Sequence, residues 1–125
     1  MCHVTSRIVK GGDLNGTNNL FGGRALEWID EDAALAAFFA LGPYRNIVTK
    51  AMSSVVFEAP AKHGDIVSTV CKVIKAGRTS ITVDCTMKNA TTGLDIITIK
   101  EIVLVNIDED GKPAPHGFVM KPINN

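Results

Sequence analysis

The chain has no surplus of either charge. Lys and Arg number 13, Asp and Glu number 13, and the formal net charge is zero. Domains that hold nucleic acid carry a basic excess or stripe, so no nucleic-acid partner is expected. No apolar run approaches the ~20 residues that a membrane-spanning helix needs. The longest comparable stretch, Ala33 to Leu41, is only helix-sized, and no membrane association is expected. The segment Met1 to Arg7 lacks the apolar core of a secretion signal. Cysteine is confined to Cys2, Cys71 and Cys85, an odd number without C-x-x-C spacing. That usage reads as reduced thiols in a cytoplasmic protein. The histidines, His3, His63 and His116, form no ligand-spaced cluster and read as surface or turn residues. No metal site is therefore expected. No serine sits in a G-x-S-x-G elbow, which argues against a Ser-His-Asp hydrolase.

What remains is ordinary globular composition. Hydrophobic residues make up 46% and charged residues 21% of 125 positions, consistent with one domain over residues 1–125. A chain of this size buries roughly two thirds of its unfolded surface, enough for one core. Zero net charge offers little colloidal repulsion and favours self-association.

One segment reads strongly as a helix, from Gly23 or Arg24 to Leu41, ended by Gly42-Pro43. Leu26, Asp30, Ala33 and Ala37 share one face; Arg24, Glu27 and Glu31 share another. A loop rich in Gly and Asn, residues 11–23, precedes it. After the helix the texture is that of strands. Ile47 to Phe57 is mixed, Ile66 to Lys75 is β-branched, and Ile96 to Ile107 is nearly continuously apolar. In Thr79 to Lys88, Ile81, Val83, Cys85 and Met87 alternate with polar residues, which predicts one buried face. The tail after the Asp108–Lys112 turn, dotted with proline, reads as irregular. A short N-terminal strand, one helix and four further strands predict an α+β architecture. One helix covers one sheet face, so the other face or an edge calls for a partner subunit.

Three places could carry chemistry. Asp30 lies on an apolar stripe, where a carboxylate is costly unless hydrogen-bonded or neutralised; alternatively the stripe is not the buried one and Asp30 faces solvent beside Glu31 and Asp32. The loop around Asn15 feeds a helix start at Gly22-Gly23, where free N–H groups and the dipole can hold an anion or a developing oxyanion. Glycine there also permits close approach of another molecule; a plain loop-to-helix junction is the other reading. Gly77-Arg78-Thr79-Ser80 forms a hairpin turn whose arginine and hydroxyls suit a phosphate, although turns are polar in any case.

The run Asp13-Leu14-Asn15-Gly16-Thr17-Asn18-Asn19-Leu20-Phe21-Gly22-Gly23 followed by Trp28-Ile29-Asp30-Glu31 resembles the signature of hotdog-fold acyl-CoA thioesterases, in their broad-specificity branch. Val48-Thr49, Phe57, Pro60, Gly64-Asp65, Gly77-Arg78-Thr79-Ser80 and Asp110-Gly111-Lys112-Pro113 agree in order and spacing. The resemblance implies a long central helix wrapped by a curved antiparallel sheet of five to six strands. It implies a homodimer, further assembled as a trimer of dimers, with sites at the dimer interface that pair Asn15 of one subunit with Asp30 of the other. Asp30 would act as general base or nucleophile on the thioester of acyl-CoA. Asn15 would orient water or substrate, and the N–H groups at Gly22-Gly23 would polarise the carbonyl. The Gly77–Ser80 turn, with Arg78, Thr79 and Ser80, would contact coenzyme A. No metal or redox cofactor is implied. Asn18 stands where family members usually have Gly, and Ser53 where many carry an acid. These departures keep open a non-catalytic acyl-CoA-binding module. A hotdog hydratase is disfavoured, since residues 11–41 hold no histidine.

Overall fold

Asp65 shows how this chain closes its turns. Its carboxylate accepts the Lys62 N–H at 2.9 Å and the Asn89 side-chain amide at 2.9 Å. Asn89 is fully buried and also caps the next turn, accepting the N–H groups of Thr91 and Thr92. Such knots fix the strands around them. In the computed structural model, which describes residues 2–42 and 46–120, these strands are β1 (Cys2–Ile8), β2 (Asn46–Met52), β3 (Val56–Phe57), β4 (Ile66–Ala76), β5 (Ser80–Asn89) and β6 (Asp95–Ile107). One helix, α1 (Gly22–Leu41), separates β1 from β2. The sheet is antiparallel in the order β1-β4-β5-β6-β2, with β3 paired to β6.

The period of two in β5 is obeyed: Ile81, Val83, Cys85 and Met87 are all buried. With Val67 and Val73 of β4 and Ile97, Ile99, Ile102 and Leu104 of β6 they form the sheet's side of the core. Each fully buried aliphatic side chain contributes about 1.5–3 kcal/mol. The helix answers with Ala25, Ile29, Ala33, Ala36 and Ala37, and the four alanines let its backbone lie close to the sheet. Gly42 ends it with φ 90, and its N–H caps the Phe38 carbonyl at 2.9 Å, as the stop signal predicted; Pro43 lies outside the described residues.

Three expectations are corrected. The segment Ile47 to Phe57 is two strands rather than one, because the backbone ladder ends at Ser53: its N–H still donates to Glu101 O, but its hydroxyl accepts the Glu101 N–H. The buried helix stripe is turned from the predicted one. It contains Asp32 instead of Asp30, while Leu26 and Asp30 sit half-buried at its margin. Finally, Cys71 and Cys85 are opposed residues of β4 and β5, Cα atoms 4.3 Å apart, and form a disulfide. Spacing in the sequence carries no information on register, so reduced thiols were the wrong expectation for this pair. The step from cysteine usage to a cytoplasmic setting lapses with it. Cys2 is free and exposed.

The Asp65 knot makes a pH-dependent contribution. The Lys62 N–H, then the Asn89 amide, hold its carboxyl below the ordinary value of 3.8. A group depressed in the folded state contributes stability above its unfolded pKa and loses it as pH falls through the folded one. Asp65→Asn is therefore expected to lower Tm by a few degrees at pH 7. That deficit should narrow below about pH 3.8. Thermal melts of both proteins across pH check this; a constant deficit contradicts it.

Candidate active site

The loop at Asn15 is a tight knot. The Asn15 carboxamide oxygen accepts from the Thr17 N–H at 2.9 Å, the Thr17 hydroxyl at 2.7 Å and the Asn19 N–H at 3.2 Å. With Oδ1 consumed, the amide orientation is set by the network, and Nδ2 is the group left to donate outward. Asn18 adopts φ 61, the left-handed conformation that a glycine would otherwise supply and that asparagine tolerates. Leu20 N–H donates to Ala61 O at 2.7 Å, docking the loop on the turn before β4.

Phe21 then starts the helix without a side-chain cap, and Ala25 is the first residue whose N–H reaches back, to Phe21 O at 3.0 Å. The N–H groups of Gly22, Gly23 and Arg24 precede any intrahelical acceptor. The close approach expected at the glycines is made by the chain's own rings. A Cβ on Gly22 would lie 3.2 Å from the Phe57 ring, and one on Gly23 2.9 Å from the Phe21 ring. A cavity of about 380 Å³ opens here, lined by Asn15, Gly22, Phe57, Glu58, Pro60 and Ile96 among others. Glu58, an acid not singled out by its sequence context, belongs to it.

Asp30 does not line that cavity. It faces β2, where the Thr49 hydroxyl donates to its Oδ1 at 2.6 Å. The β2–β6 register shifts between Thr49 and Ala51, and bulges of this kind re-aim side chains beside functional sites. Thr49 also borders a second groove of about 440 Å³, floored by Val48, Val103 and Val105, with Thr79 and Ser80 at its edge. The hairpin turn is closed by Gly77 N–H to Ser80 O at 3.0 Å. A Cβ on Gly77 would come within 2.6 Å of the Ser80 hydroxyl, so a larger residue there would displace that hydroxyl. Arg78 is exposed at the tip.

The seven predicted residues thus separate into two groups: Asn15, Gly22 and Gly23 at the helix start, and Asp30, Arg78, Thr79 and Ser80 along the β2 and β5 side. Sequence reading missed Thr49 as a partner of Asp30, and also Asp32, whose buried carboxylate Arg7 holds.

A sequence model of the thioesterase superfamily matches residues 17–96. The chain belongs to the thioesterase superfamily. It is 32% identical over 106 residues to an uncharacterized acyl-CoA thioester hydrolase of Zymomonas mobilis, covering 82% of this chain and 69% of that one. Its fold superposes on the acyl-CoA hydrolase of Staphylococcus aureus, solved with butyryl coenzyme A and coenzyme A, at TM-score 0.77 and 31% identity, covering 91% and 68% of the two chains. It also matches a hexameric hotdog-fold thioesterase of Campylobacter jejuni at TM-score 0.74 and 33% identity, covering 89% and 86%. The architecture of this superfamily member, one helix against a six-stranded antiparallel sheet, is the hotdog fold.

Proposed function

We propose that the chain, acting as one domain over residues 1–125, hydrolyses acyl-CoA to a free carboxylic acid and coenzyme A, at sites completed by a second copy. The observation that carries this is the division of the candidate residues. One group supplies donors without Asp30; the other supplies Asp30 without those donors. Two copies that meet along their β2 edges bring donors of one to the acid of the other. The relatives named as acyl-CoA hydrolases and the hexameric assembly of the Campylobacter jejuni enzyme support the reading. The Staphylococcus aureus hydrolase has also been solved with one asparagine and one aspartate each replaced by alanine. Those two are separated by the same number of positions as Asn15 and Asp30.

In the proposed reaction the thioester carbonyl lies against the Asn15 amide and the first-turn N–H groups, which stabilise the negative oxygen as it develops. Asp30 takes a proton from water, whose oxygen bonds to the carbonyl carbon. The C–S bond breaks, and the coenzyme A thiolate leaves and is protonated. Thr49 holds the Asp30 carboxylate in place. Arg78, Thr79 and Ser80 bind the coenzyme A end of the substrate. The departures at Asn18 and Ser53 leave this machinery intact: one keeps the loop geometry, the other serves strand pairing.

Thiol release from a panel of short- to long-chain acyl-CoAs tests the reading. Hydrolysis that depends on the protein is expected. Tight acyl-CoA binding without hydrolysis over hours would show a binding module instead. Sedimentation at the 13.4 kDa of a single chain at micromolar concentration would contradict the shared site.

A further inference from the structure

We propose that His116 is a positioning residue for the coenzyme A end of the substrate, acting by clamping the Arg78-Thr79-Ser80 turn; the inference rests on that turn's assignment above. The tail after β6 has no regular structure, yet His116 within it is only 3% exposed. Burying an imidazole requires its polar atoms to find partners, and both do. Nδ1 accepts the Phe118 N–H at 3.0 Å. A ring nitrogen that accepts carries no proton, so Nε2 is the protonated one, and it donates to Ser80 O at 2.7 Å. The tautomer is fixed by these two bonds.

The same residue's backbone N–H donates to Arg78 O at 3.2 Å. His116 therefore holds the carbonyls on both sides of Thr79. The Thr79 carbonyl is itself taken by the Asn106 N–H at 2.8 Å. Asn106, buried in β6, is tied to the tail by a reciprocal pair: Ala114 N–H to Asn106 O at 2.8 Å, and Asn106 Nδ2 to Ala114 O at 3.0 Å. All three consecutive carbonyls of the turn are thus anchored, and the three peptide planes are fixed. A hairpin tip otherwise belongs to the least stable part of a fold. Held this way, the turn gives the exposed Arg78 side chain a fixed backbone from which to project. A fixed backbone under an arginine, whose fork can bind phosphate, lowers the ordering cost of binding. The hydrogen bonds of His116 go to Ser80, Phe118 and Arg78 and not to Asp30 or Asn15, so the effect falls on substrate binding and not on the chemical step.

Two substitutions separate the clamp from plain packing. His116→Asn keeps an acceptor for the Phe118 N–H and lacks the reach to Ser80 O. His116→Gln keeps a donor that reaches Ser80 O. Each is compared with wild type and Arg78→Ala, using acyl-CoA and the matching acyl-pantetheine, which lacks the phosphorylated nucleotide. Coenzyme A binding by titration calorimetry gives a second readout, independent of turnover. Arg78→Ala and His116→Asn are expected to raise KM for acyl-CoA, and Kd for coenzyme A, by about tenfold. Their kcat should stay within about twofold of wild type, as for any loss confined to binding, and acyl-pantetheine kinetics should be unaffected. His116→Gln is expected to behave as wild type. Equal effects of Asn and Gln, equal effects on both substrates, a loss confined to kcat, or no effect of His116→Asn on coenzyme A binding would each overturn the inference. If Arg78→Ala leaves both KM for acyl-CoA and Kd for coenzyme A unchanged, the assignment of the turn itself has failed, whatever His116 does.

Discussion

Asp30→Ala is expected to lower kcat for thioester hydrolysis by at least ~10²-fold, the usual contribution of a general base, while the melting temperature stays near that of wild type. The second half of the expectation follows from position. Asp30 is half-buried at the margin of the helix stripe, outside the core, and its hydrogen-bond partner is one hydroxyl at 2.6 Å. Removing it leaves Thr49 Oγ1 without an acceptor at a site that water can reach, so little folding energy is at stake. Asp30→Asn sharpens the test, since it preserves shape and the bond from Thr49 but cannot take a proton. Thr49→Ala should cost less, about tenfold, because it loosens the carboxylate without removing it. Initial rates of thiol release, with parallel thermal melts, measure all three. The competing acid is Glu58, which lines the cavity with Asn15 and Gly22. Unchanged turnover in Asp30→Ala, with loss of activity in Glu58→Ala, would transfer the base to the cavity and remove the reason for a site shared between copies.

The parts of this fold that depend on local periodicity were legible in advance, and those that depend on register were not. Alternation along β5 announced its buried face, and Gly42 announced the end of α1. The left-handed Asn18 fits the loop reading because one residue's conformational tolerance is a local property. By contrast, the Cys71–Cys85 pairing, the Thr49–Asp30 bond and the Arg7–Asp32 pair join residues whose proximity is decided only when strands and helix are assembled. His116 is the clearest case. A histidine in a tail dotted with proline reads as surface, since nothing in residues 113–120 shows that Ser80 O and Arg78 O wait for it. The helix stripe failed more narrowly. Its period was right, but its phase was off by a fraction of a turn, because alanine on both candidate faces gave no contrast to fix it.

That phase error hid a buried ion pair. Arg7→Ala is expected to destabilise the chain by about 3–5 kcal/mol, the cost typical of leaving one member of a buried pair alone. Asp32 is 0% exposed on the face of α1 turned to β1, and Arg7 grips it with two bonds of 2.8 and 2.9 Å. The guanidinium also lies 5.4 Å from the centre of the Trp28 ring and 3.4 Å from Glu31. The hydrogen bond with Asp32 pushes the Arg7 pKa above its ordinary value against the opposing effect of burial. A raised pKa gives stability below the unfolded value and loses it only as pH rises past the folded one, so Arg7 keeps its charge, and its share of the stability, into strongly alkaline solution. Replacing both members with apolar residues, Arg7→Met with Asp32→Leu, should cost far less than either single change, because no charge is then stranded. Urea denaturation of the two singles and the double measures this; single losses under about 1 kcal/mol would mean the pair behaves as a surface one. The double variant also asks what the pair is for. Asp32 fixes α1 to the β1 edge of the sheet, and Asp30, nearly opposite on the helix, is held by Thr49 at the β2 edge. If the ion pair sets the rotation of the helix, the double variant keeps its stability but turns over acyl-CoA more slowly, since Asp30 is then held at one edge only.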